Sequence, residues 1–309
     1  MEVLIQHNVH AGLGDYTHSI YRYFYLVEEL KKIGFRHITL YVNMERTSMF
    51  NKDYFFVLYD RKVFEELFDN IIISDNKIGT ENYDNLKLFY VNGHEEIGMN
   101  QFDIFIDYND EKFELFKINL HNFFVPNTLK KYRYLFSEYI MNKYRETNVH
   151  KNEEYVAIQF RAGDSKDNED LYKNHEEQFK KIISEENKVF VCSNSYKFKE
   201  YIKSFNYDNV FMFDFPFEKE YGNHLGAIPF TENFNHNEYQ TRTLHAAIDM
   251  LTLSQSKEIY SFNYFGYVDS NFIKLAISKN VKFNIIPLIG GMMWKPENFI
   301  NDEDINRWG

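Results

Sequence analysis

Short runs of apolar residues alternate along the chain with longer segments in which apolar residues recur at helical spacing. The run at residues 3–6 predicts a strand, and Ile20, Phe24 and Val27 predict a helix over about residues 16–33. Gly34 follows this helix at a position that favours a C-terminal cap. Such an alternation of strands and helices predicts an α/β fold with a mostly parallel sheet and helices on its faces.

The same alternation continues to the end of the chain in two halves of similar length. In the first half it predicts further strands at residues 37–42, 71–73, 86–91 and 102–107 and helices at 62–69 and 129–144. In the second half it predicts strands at residues 155–160, 188–192, 210–213, 258–261 and 282–286 and helices at 174–184, 197–204, 238–254 and 271–278. The polar segment 148–154 separates the halves, so we predict two Rossmann-like domains, residues 1–150 and 151–309, facing a cleft.

Charge and cysteine content exclude several classes of protein. The 309 residues carry a net charge of −11, which disfavours a nucleic-acid partner that needs a broad basic surface. Cys192 is the single cysteine, so no disulfide can form within the chain and a reducing compartment is favoured. The N-terminal residues lack a leader pattern and no apolar stretch is long enough for a membrane span, so we expect a cytoplasmic protein.

A glycine-containing turn joins the first predicted strand to the first long helix. Gly12 and Gly14 would allow a sharp turn and the close approach of a ligand to the N–H groups of the helix N-terminus. Asp15 follows them. It could serve as a general base near a bound substrate, or it could be the N-cap of a helix that begins near Tyr16.

The first strand of the second half leads directly into an arginine and a glycine-bearing loop, in the sequence QFRAGD. Open α/β sheets bind ligands at the carboxyl ends of their strands, and the planar fork of Arg161 matches two phosphate oxygens. Gly163 would permit close approach, and Asp164 could orient Arg161 or cap the following segment. The alternative is a structural Arg–Asp pair at the end of a strand.

The helix predicted at residues 238–254 carries polar residues beside its apolar face. Arg242, His245 and Asp249 share one side of it, and His245 could form a hydrogen-bonded pair with Asp249. The sequence DMLTLS at residues 249–254, the next strand and the sequence SFNYFG at residues 261–266 follow in order.

Taken in order, these motifs resemble those of the GDP-fucose-dependent fucosyltransferases, which include α-1,2, α-1,6 and protein O-fucosyl enzymes. The matching stretches are GLGD at residues 12–15, QFRAGD at 159–164, VFVCSNS at 189–195, DMLTLS at 249–254 and SFNYFG at 261–266. Three positions depart from the family pattern. Gln159 replaces a common histidine, Ala162 replaces the second arginine of the α-1,2 enzymes, and Asp15 replaces a commoner asparagine.

The resemblance implies a GT-B fold, a nucleotide-sugar donor held mainly by the C-terminal domain, a glycan acceptor, and inverting catalysis without a metal or other cofactor. Arg161 would stabilise the departing diphosphate. Asp15 would be the candidate base, with Gly12 and Gly14 closing the site from the N-terminal domain. The remaining expected nucleotide-site residues are Gln159, Gly163, Asp164, Ser193, Asn194, His245, Asp249, Ser254, Ser261 and Phe262.

Two rival functions remain open. One is the same fold acting on another nucleotide sugar, and the other is an inactive protein that binds a nucleotide sugar or a glycan. An acidic triplet at residues 302–304 follows no apolar strand, so we do not interpret it as a metal site, and zinc-hydrolase, serine-hydrolase and P-loop motifs are missing from the sequence. Without an N-terminal membrane anchor, the resemblance favours a bacterial or viral origin.

Overall fold

The structure is a computed structural model, and it divides the chain into two compact units. It describes residues 3–7, 13–32, 34–44, 52–74, 87–92, 101–106, 135–161, 171–214, 236–263, 271–276 and 282–288. Unit 1 comprises Met1–Met141 and Ile228–Thr243, and unit 2 comprises Asn142–Ala227 and Leu244–Gly309. These divisions fall after residues 141, 227 and 243, whereas the sequence predicts a single boundary after residue 150, and that boundary stays a prediction.

Unit 1 contains one five-stranded sheet and the helices that pack on it. Its strands are β1 (Val3–His7), β2 (Ile38–Asn43), β3 (Asn70–Ser74), β4 (Lys87–Asn92) and β5 (Gln101–Ile106). Its helices are α1 (Leu13–Lys32), α2 (Phe55–Leu58) and α3 (Arg61–Leu67), and α4 (Glu138–Thr147) begins in unit 1 and ends in unit 2.

The strand order of this first sheet is β3-β2-β1-β5-β4, and its pairing is mixed. Strands β1, β2 and β3 are parallel, whereas β5 pairs antiparallel with both β1 and β4. The prediction of a mostly parallel sheet is therefore wrong for β4 and β5. Only residues 93–100 connect these two strands, which is too short for the crossover that parallel neighbours need.

Helix α1 ends at the predicted glycine. Gly34 has a φ of +93°, in the left-handed region that favours glycine. Its N–H donates to the carbonyl of Lys31 at 3.1 Å, and the N–H of Phe35 donates to that of Leu30 at 3.0 Å. These two bonds form a Schellman motif, and the buried side chains of Leu30 and Phe35 accompany it. The predicted cap is confirmed.

The core of unit 1 is rich in aromatic side chains. Phe24 of α1 packs edge-to-face on Phe64 of α3 with ring centroids 5.1 Å apart, and Phe55 of α2 lies 5.4 Å from the same ring. The hydroxyl groups of Thr17 and Tyr59 form a buried hydrogen bond of 2.9 Å. Helix α2 was not predicted from the sequence, and its four residues serve mainly to deliver Phe55 and Leu58 to this core.

Unit 2 contains a second five-stranded sheet. Its strands are β6 (Val156–Arg161), β7 (Val189–Ser193), β8 (Val210–Phe211), β9 (Glu258–Asn263) and β10 (Lys282–Pro287). Its helices are α5 (Glu176–Glu185), α6 (Tyr196–Lys203), the C-terminal half of α7 (His236–Leu253) and α8 (Asn271–Ala276).

All four strand pairings of this second sheet are parallel, and the strand order is β10-β9-β6-β7-β8. The chain runs outward from β6 through β7 to β8, and then returns to the other side of β6 to form β9 and β10. This is the strand order of a Rossmann domain, with its topological switch point between β6 and β9. The α/β class predicted from the sequence is confirmed.

Each face of the second sheet packs on helices. On one face Phe160 and Phe262 pack with Phe179 of α5 and Phe198 of α6. On the other face the start of β6 packs with Leu253 of α7 and with α8. The central strands are buried on both faces, which explains why four of the six residues of β6 are apolar.

Candidate functional site

The carboxyl edge of the second sheet brings together several of the residues singled out in the sequence. Arg161 is the last residue of β6, and the register of β6 and β9 pairs it with Asn263, the last residue of β9. The two strands flank the topological switch point, where open α/β sheets bind ligands. Arg161 is partly exposed at this edge.

Gln159 and Ser261 lie side by side on β6 and β9, each two residues before the end of its strand. They are paired in the register of β6 and β9, and the Ser261 hydroxyl donates a 2.7 Å hydrogen bond to Oε1 of Gln159. Gln159 is 6% exposed and Ser261 is 1% exposed. Side chains two apart on a strand lie on the same face, so Gln159 and Arg161 share one face of the sheet. The pair fixes the side chain of Gln159 beneath Arg161.

The end of β7 lies at the same edge of the sheet as the ends of β6 and β9. The hydroxyl of Ser193 accepts a 2.9 Å hydrogen bond from the N–H of Ser195, and the hydroxyl of Ser195 accepts one from the N–H of Phe198 as the N-cap of α6. Asn194 lies between the two serines and is partly exposed. The serines therefore fix the turn from β7 into α6, at the same edge of the sheet as Arg161.

Helix α7 covers the face that carries Gln159. Leu253 packs beside Tyr155 at the start of β6, and the helix runs from there towards the carboxyl edge. The eight residues from Leu253 back to His245 span about 12 Å of helix. The four from Tyr155 to Gln159 span about 13 Å of strand. His245 therefore lies about as far from Leu253 along α7 as Gln159 lies from Tyr155 along β6, and Asp249, which is 8% exposed, lies one turn closer to Leu253.

His245 is held in its neutral form. Burial, followed by the nearby positive charge of Lys199, lowers the pKa of His245 from 6.5 to about 4. A neutral imidazole has one nitrogen that donates a hydrogen bond and one that accepts, whereas the protonated ring only donates. At neutral pH the ring of His245 therefore keeps one nitrogen that accepts a hydrogen bond and one that donates.

Two predicted nucleotide-site residues are placed elsewhere. The hydroxyl of Ser254 donates to the carbonyl of Leu251 just after the end of α7, beside the start of β6 and so at the opposite edge of the sheet from Arg161. The side chain of Phe262 is fully buried against Phe179 in the core, with centroids 4.4 Å apart. The structure therefore does not support a nucleotide contact for either side chain.

The start of helix α1 shows that the alternative prediction for Asp15, that it is the N-cap of this helix, is wrong. The helix begins at Leu13 and not near Tyr16, so Gly14 and Asp15 belong to its first turn and Asp15 cannot be its N-cap. Gly14 is buried. An acidic residue in the first turn is still favoured by the helix dipole. Gly12, Gly163 and Asp164 lie outside the described residues.

Lys199 is a buried charged residue that sequence reasoning missed. The pattern of α6 places it among surface lysines, yet its side chain is 1% exposed and its Nζ donates a 3.0 Å hydrogen bond to the carbonyl of Phe213. No pattern in the sequence marks a lysine that turns inward from an amphipathic helix.

The described residues show neither a metal cluster nor a membrane span. Within these ranges no group of three or more histidine, cysteine, aspartate or glutamate side chains could hold a metal ion. Similarly, no helix in the described part of the chain has the length and apolar character needed to cross a bilayer.

The fold is that of known fucosyltransferases. The chain is similar to the fucosyltransferase NodZ from Bradyrhizobium, with a TM-score of 0.51 and 12% identity over 90% of this chain and 92% of that chain. It is equally similar to the NodZ α-1,6-fucosyltransferase soaked with GDP-fucose, with a TM-score of 0.50 and 12% identity over 90% and 93%. The same enzyme co-crystallised with GDP gives a TM-score of 0.50 and 11% identity over 89% and 92%.

Sequence comparison alone finds no relative: no protein family and no curated protein matches the chain. The likeness to NodZ is therefore one of fold, and the fold agrees with the resemblance found in the sequence motifs. Two of the NodZ crystals were prepared with a ligand, one soaked with GDP-fucose and one co-crystallised with GDP.

Proposed function

We propose that this protein is a glycosyltransferase that moves fucose from GDP-fucose to a hydroxyl group of a glycan, with inversion and without a metal ion. The observation that carries the proposal is Arg161 at the switch point of the second sheet, in a chain with the fold of NodZ. The proposal includes the GT-B arrangement, with residues 1–150 on the acceptor side and residues 151–309 on the donor side.

In the proposed reaction an acceptor hydroxyl oxygen attacks the anomeric carbon of the donor sugar. A bond forms between that oxygen and the carbon, and the bond from the carbon to the β-phosphate oxygen breaks, so GDP leaves with the electron pair. Negative charge grows on the diphosphate as it leaves, and the guanidinium of Arg161 stabilises that charge more in the transition state than in the bound donor.

The proton of the acceptor hydroxyl must leave as the new bond forms. Asp15 is the candidate base, since it lies in the first turn of α1, the helix that comes next in the chain after β1. A positioned base of this kind accounts for roughly 10²–10⁴-fold of the rate.

Gln159 is proposed to contact the nucleotide-sugar donor. Its amide is neutral at every pH, and its Oε1 is already engaged by Ser261, so its amide nitrogen is the group left to donate to a ligand. This differs from the common histidine of the resembling family and is the specific reason to test other nucleotides alongside GDP.

Thermal unfolding with GDP, UDP, ADP and CMP tests the proposal, each with and without EDTA. A ligand at about 100 times its dissociation constant adds about 2.7 kcal/mol to the free energy of unfolding. We expect GDP to raise the unfolding temperature most, with no effect of EDTA. Stabilisation by UDP alone, or only in the presence of Mn²⁺, would contradict the proposal.

Hydrolysis of GDP-fucose separates an enzyme from a binding protein. Glycosyltransferases that lack their acceptor can transfer slowly to water, so we expect release of GDP by the wild type and none by Arg161→Ala. Tight GDP binding with no turnover of GDP-fucose on any tested glycan would favour the inactive binding protein instead.

A further inference from the structure

The hydroxyl of Ser261 and the carboxamide of Gln159 form a polar pair inside the second sheet. The Ser261 Oγ donates to Oε1 of Gln159 at 2.7 Å, and the two residues are paired in the register of β6 and β9. On its other side Gln159 is paired with Cys192 of β7. Paired side chains of neighbouring parallel strands lie on the same face of the sheet, so Ser261 and Cys192 flank Gln159. The hydrogen bond turns the amide oxygen of Gln159 towards β9.

The burial of Ser261 favours this orientation of the amide over the reverse one. An amide has an acceptor end and a donor end, and a hydroxyl group can bond to either. If the amide were reversed, Nε2 of Gln159 would donate to Oγ, and the hydroxyl proton of Ser261 would need another acceptor. Ser261 is 1% exposed, and its side chain has no second partner among the described residues. A buried donor without a partner is costly, so the observed orientation is the more stable one.

The amide nitrogen of Gln159 is the donor that this pair leaves over. Within the described part of the chain, the hydrogen bond from Ser261 is the one bond of the Gln159 side chain. Nε2 is also not among the polar atoms of that part which are cut off from solvent without a partner, so it reaches solvent, in keeping with the 6% exposure of the residue. Arg161 follows on the same face of the sheet, about 7 Å nearer the carboxyl edge.

We propose that Ser261 is a positioning residue of the nucleotide site, whose hydroxyl holds the carboxamide of Gln159 so that Nε2 donates to an oxygen of the bound diphosphate. The inference rests on the proposed function. The ionised oxygens of a diphosphate are strong acceptors, so an amide that presents its nitrogen attracts them and one that presents its oxygen repels them. Ser261 does not touch the ligand, and it acts only through Gln159.

The alternative is that the pair only helps to join β6 to β9. The register already pairs these strands at six positions. With this role alone, removal of the Ser261 hydroxyl would lower the free energy of unfolding and leave the affinity for GDP unchanged. The two roles therefore differ in one observable, namely whether the effect of Ser261 on GDP affinity depends on the amide of Gln159.

Calorimetry with GDP on a double-mutant cycle measures this dependence. Ser261→Ala should weaken GDP binding about 3–10-fold, the effect of one hydrogen bond, whereas Ser261→Thr keeps the hydroxyl and should retain the wild-type affinity. In a Gln159→Met background, which lacks the amide, Ser261→Ala should change the affinity by less than about 2-fold. The matched control is Ser256→Ala, because Ser256 is also buried and donates a 2.7 Å hydrogen bond, to the carbonyl of Leu253 away from the site. This control should bind GDP like the wild type.

A comparison of Gln159→Glu with Gln159→Met tests which end of the amide faces the ligand. The carboxylate of Gln159→Glu can still accept the hydrogen bond from Ser261, but it presents a charged oxygen in place of Nε2. We therefore expect Gln159→Glu to bind GDP more weakly than Gln159→Met at pH 8. If the amide oxygen faced a donor group of the nucleoside instead, Gln159→Glu would bind GDP at least as tightly as Gln159→Met.

Two results would overturn the role of Ser261 and leave the proposed function standing: GDP affinity that is the same in Ser261→Ala and the wild type, or a loss in Ser261→Ala that persists in the Gln159→Met background. Tighter binding by Gln159→Glu than by Gln159→Met would overturn the contact of Nε2 with the diphosphate. If Ser261→Ala does not fold, Ser261→Cys, which keeps only a weak donor, replaces it in the cycle. A wild type that binds no GDP refutes the proposed function and this inference together.

Discussion

The guanidinium of Arg161 is the positive charge that the fold places beside the switch point of the second sheet. We expect Arg161→Ala to abolish transfer and to weaken GDP binding by roughly 10–100-fold, since hydrogen bonds to charged groups are worth about 1.5–3 kcal/mol. Arg161→Lys should recover only part of the affinity, because an ammonium group cannot reproduce the planar fork. Calorimetry with GDP measures both effects.

Arg145→Ala is the matched control for this prediction. Arg145 is an exposed arginine of α4 that bonds to Asn142 on its own helix. Its replacement should change neither GDP affinity nor transfer. If Arg161→Ala retains most of its activity, or loses activity only because it unfolds, Arg161 has a structural role and the proposed mechanism is wrong.

Asp15 can be tested separately from the stability of α1, because the helix begins two residues before it. If Asp15 is the base, Asp15→Asn should reduce turnover at saturating donor by roughly 10²–10⁴-fold and leave GDP affinity unchanged. If it serves only the helix dipole, the same change should cost about 0.3–1 kcal/mol of stability and no activity. Turnover and the free energy of unfolding are measured in parallel, and an active Asp15→Asn variant would redirect the search for a base to other residues.

At the scale of single elements, the C-terminus of α1 gives a prediction that is independent of function. Gly34 has a φ of +93°, and an added Cβ would meet no atom within 4 Å, so strain in the backbone is the only penalty for a larger residue. Gly34→Ala should lower the free energy of unfolding by roughly 1–2 kcal/mol. Gly34→Asn should cost less, because asparagine tolerates this conformation. Denaturant unfolding of both variants is the measurement, and equal stability of Gly34→Ala and wild type would contradict the Schellman motif.

The elements that the sequence predicted best are those whose stability depends on a repeated pattern. The strand beginning at Val156 and the helix ending at Leu253 were predicted to within two residues at these ends, because apolar periodicity is the physical requirement for burial. Helix α2 was missed since four residues cannot show a period. The antiparallel pairing of β4 and β5 follows from their short connection. The prediction of a parallel sheet used only the alternation of strands and helices and did not consider the length of that connection.

The candidate site was predictable only where strand ends define it. Arg161 and Ser193 lie at the carboxyl edge because each is the last residue of an apolar strand, and their roles in a site stay a prediction. Ser254 lies at the other edge because its motif spans the C-terminal end of a helix of 18 residues, whose two ends lie at opposite edges of the sheet. The burial of Lys199 depends on a tertiary contact with Phe213, which no local pattern encodes.

At the scale of the whole molecule, we propose that unit 2 binds the donor nucleotide. Arg161, Gln159, Ser193 and His245 all belong to unit 2, and the central strands of its sheet are buried on both faces. Hydrogen exchange of such amides reports local opening, which a bound ligand suppresses in the elements it contacts. We expect GDP to slow exchange in peptides that contain the end of β6, the end of β9 and residues 244–249 of α7.

Peptides from β2 and β3 in unit 1 are the internal control for the same measurement. They should exchange at the same rate with and without GDP if residues of unit 2 alone bind the nucleotide. The exception is the slowest amides: where these exchange through global unfolding, GDP should lower all their exchange rates by the same factor. Arg161→Ala at the same GDP concentration should show little slowing at the end of β6. Protection concentrated in β2 and β3 would place the nucleotide in unit 1 and would require Arg161 to be reassigned, because a phosphate group held there could not be the leaving group that this arginine stabilises.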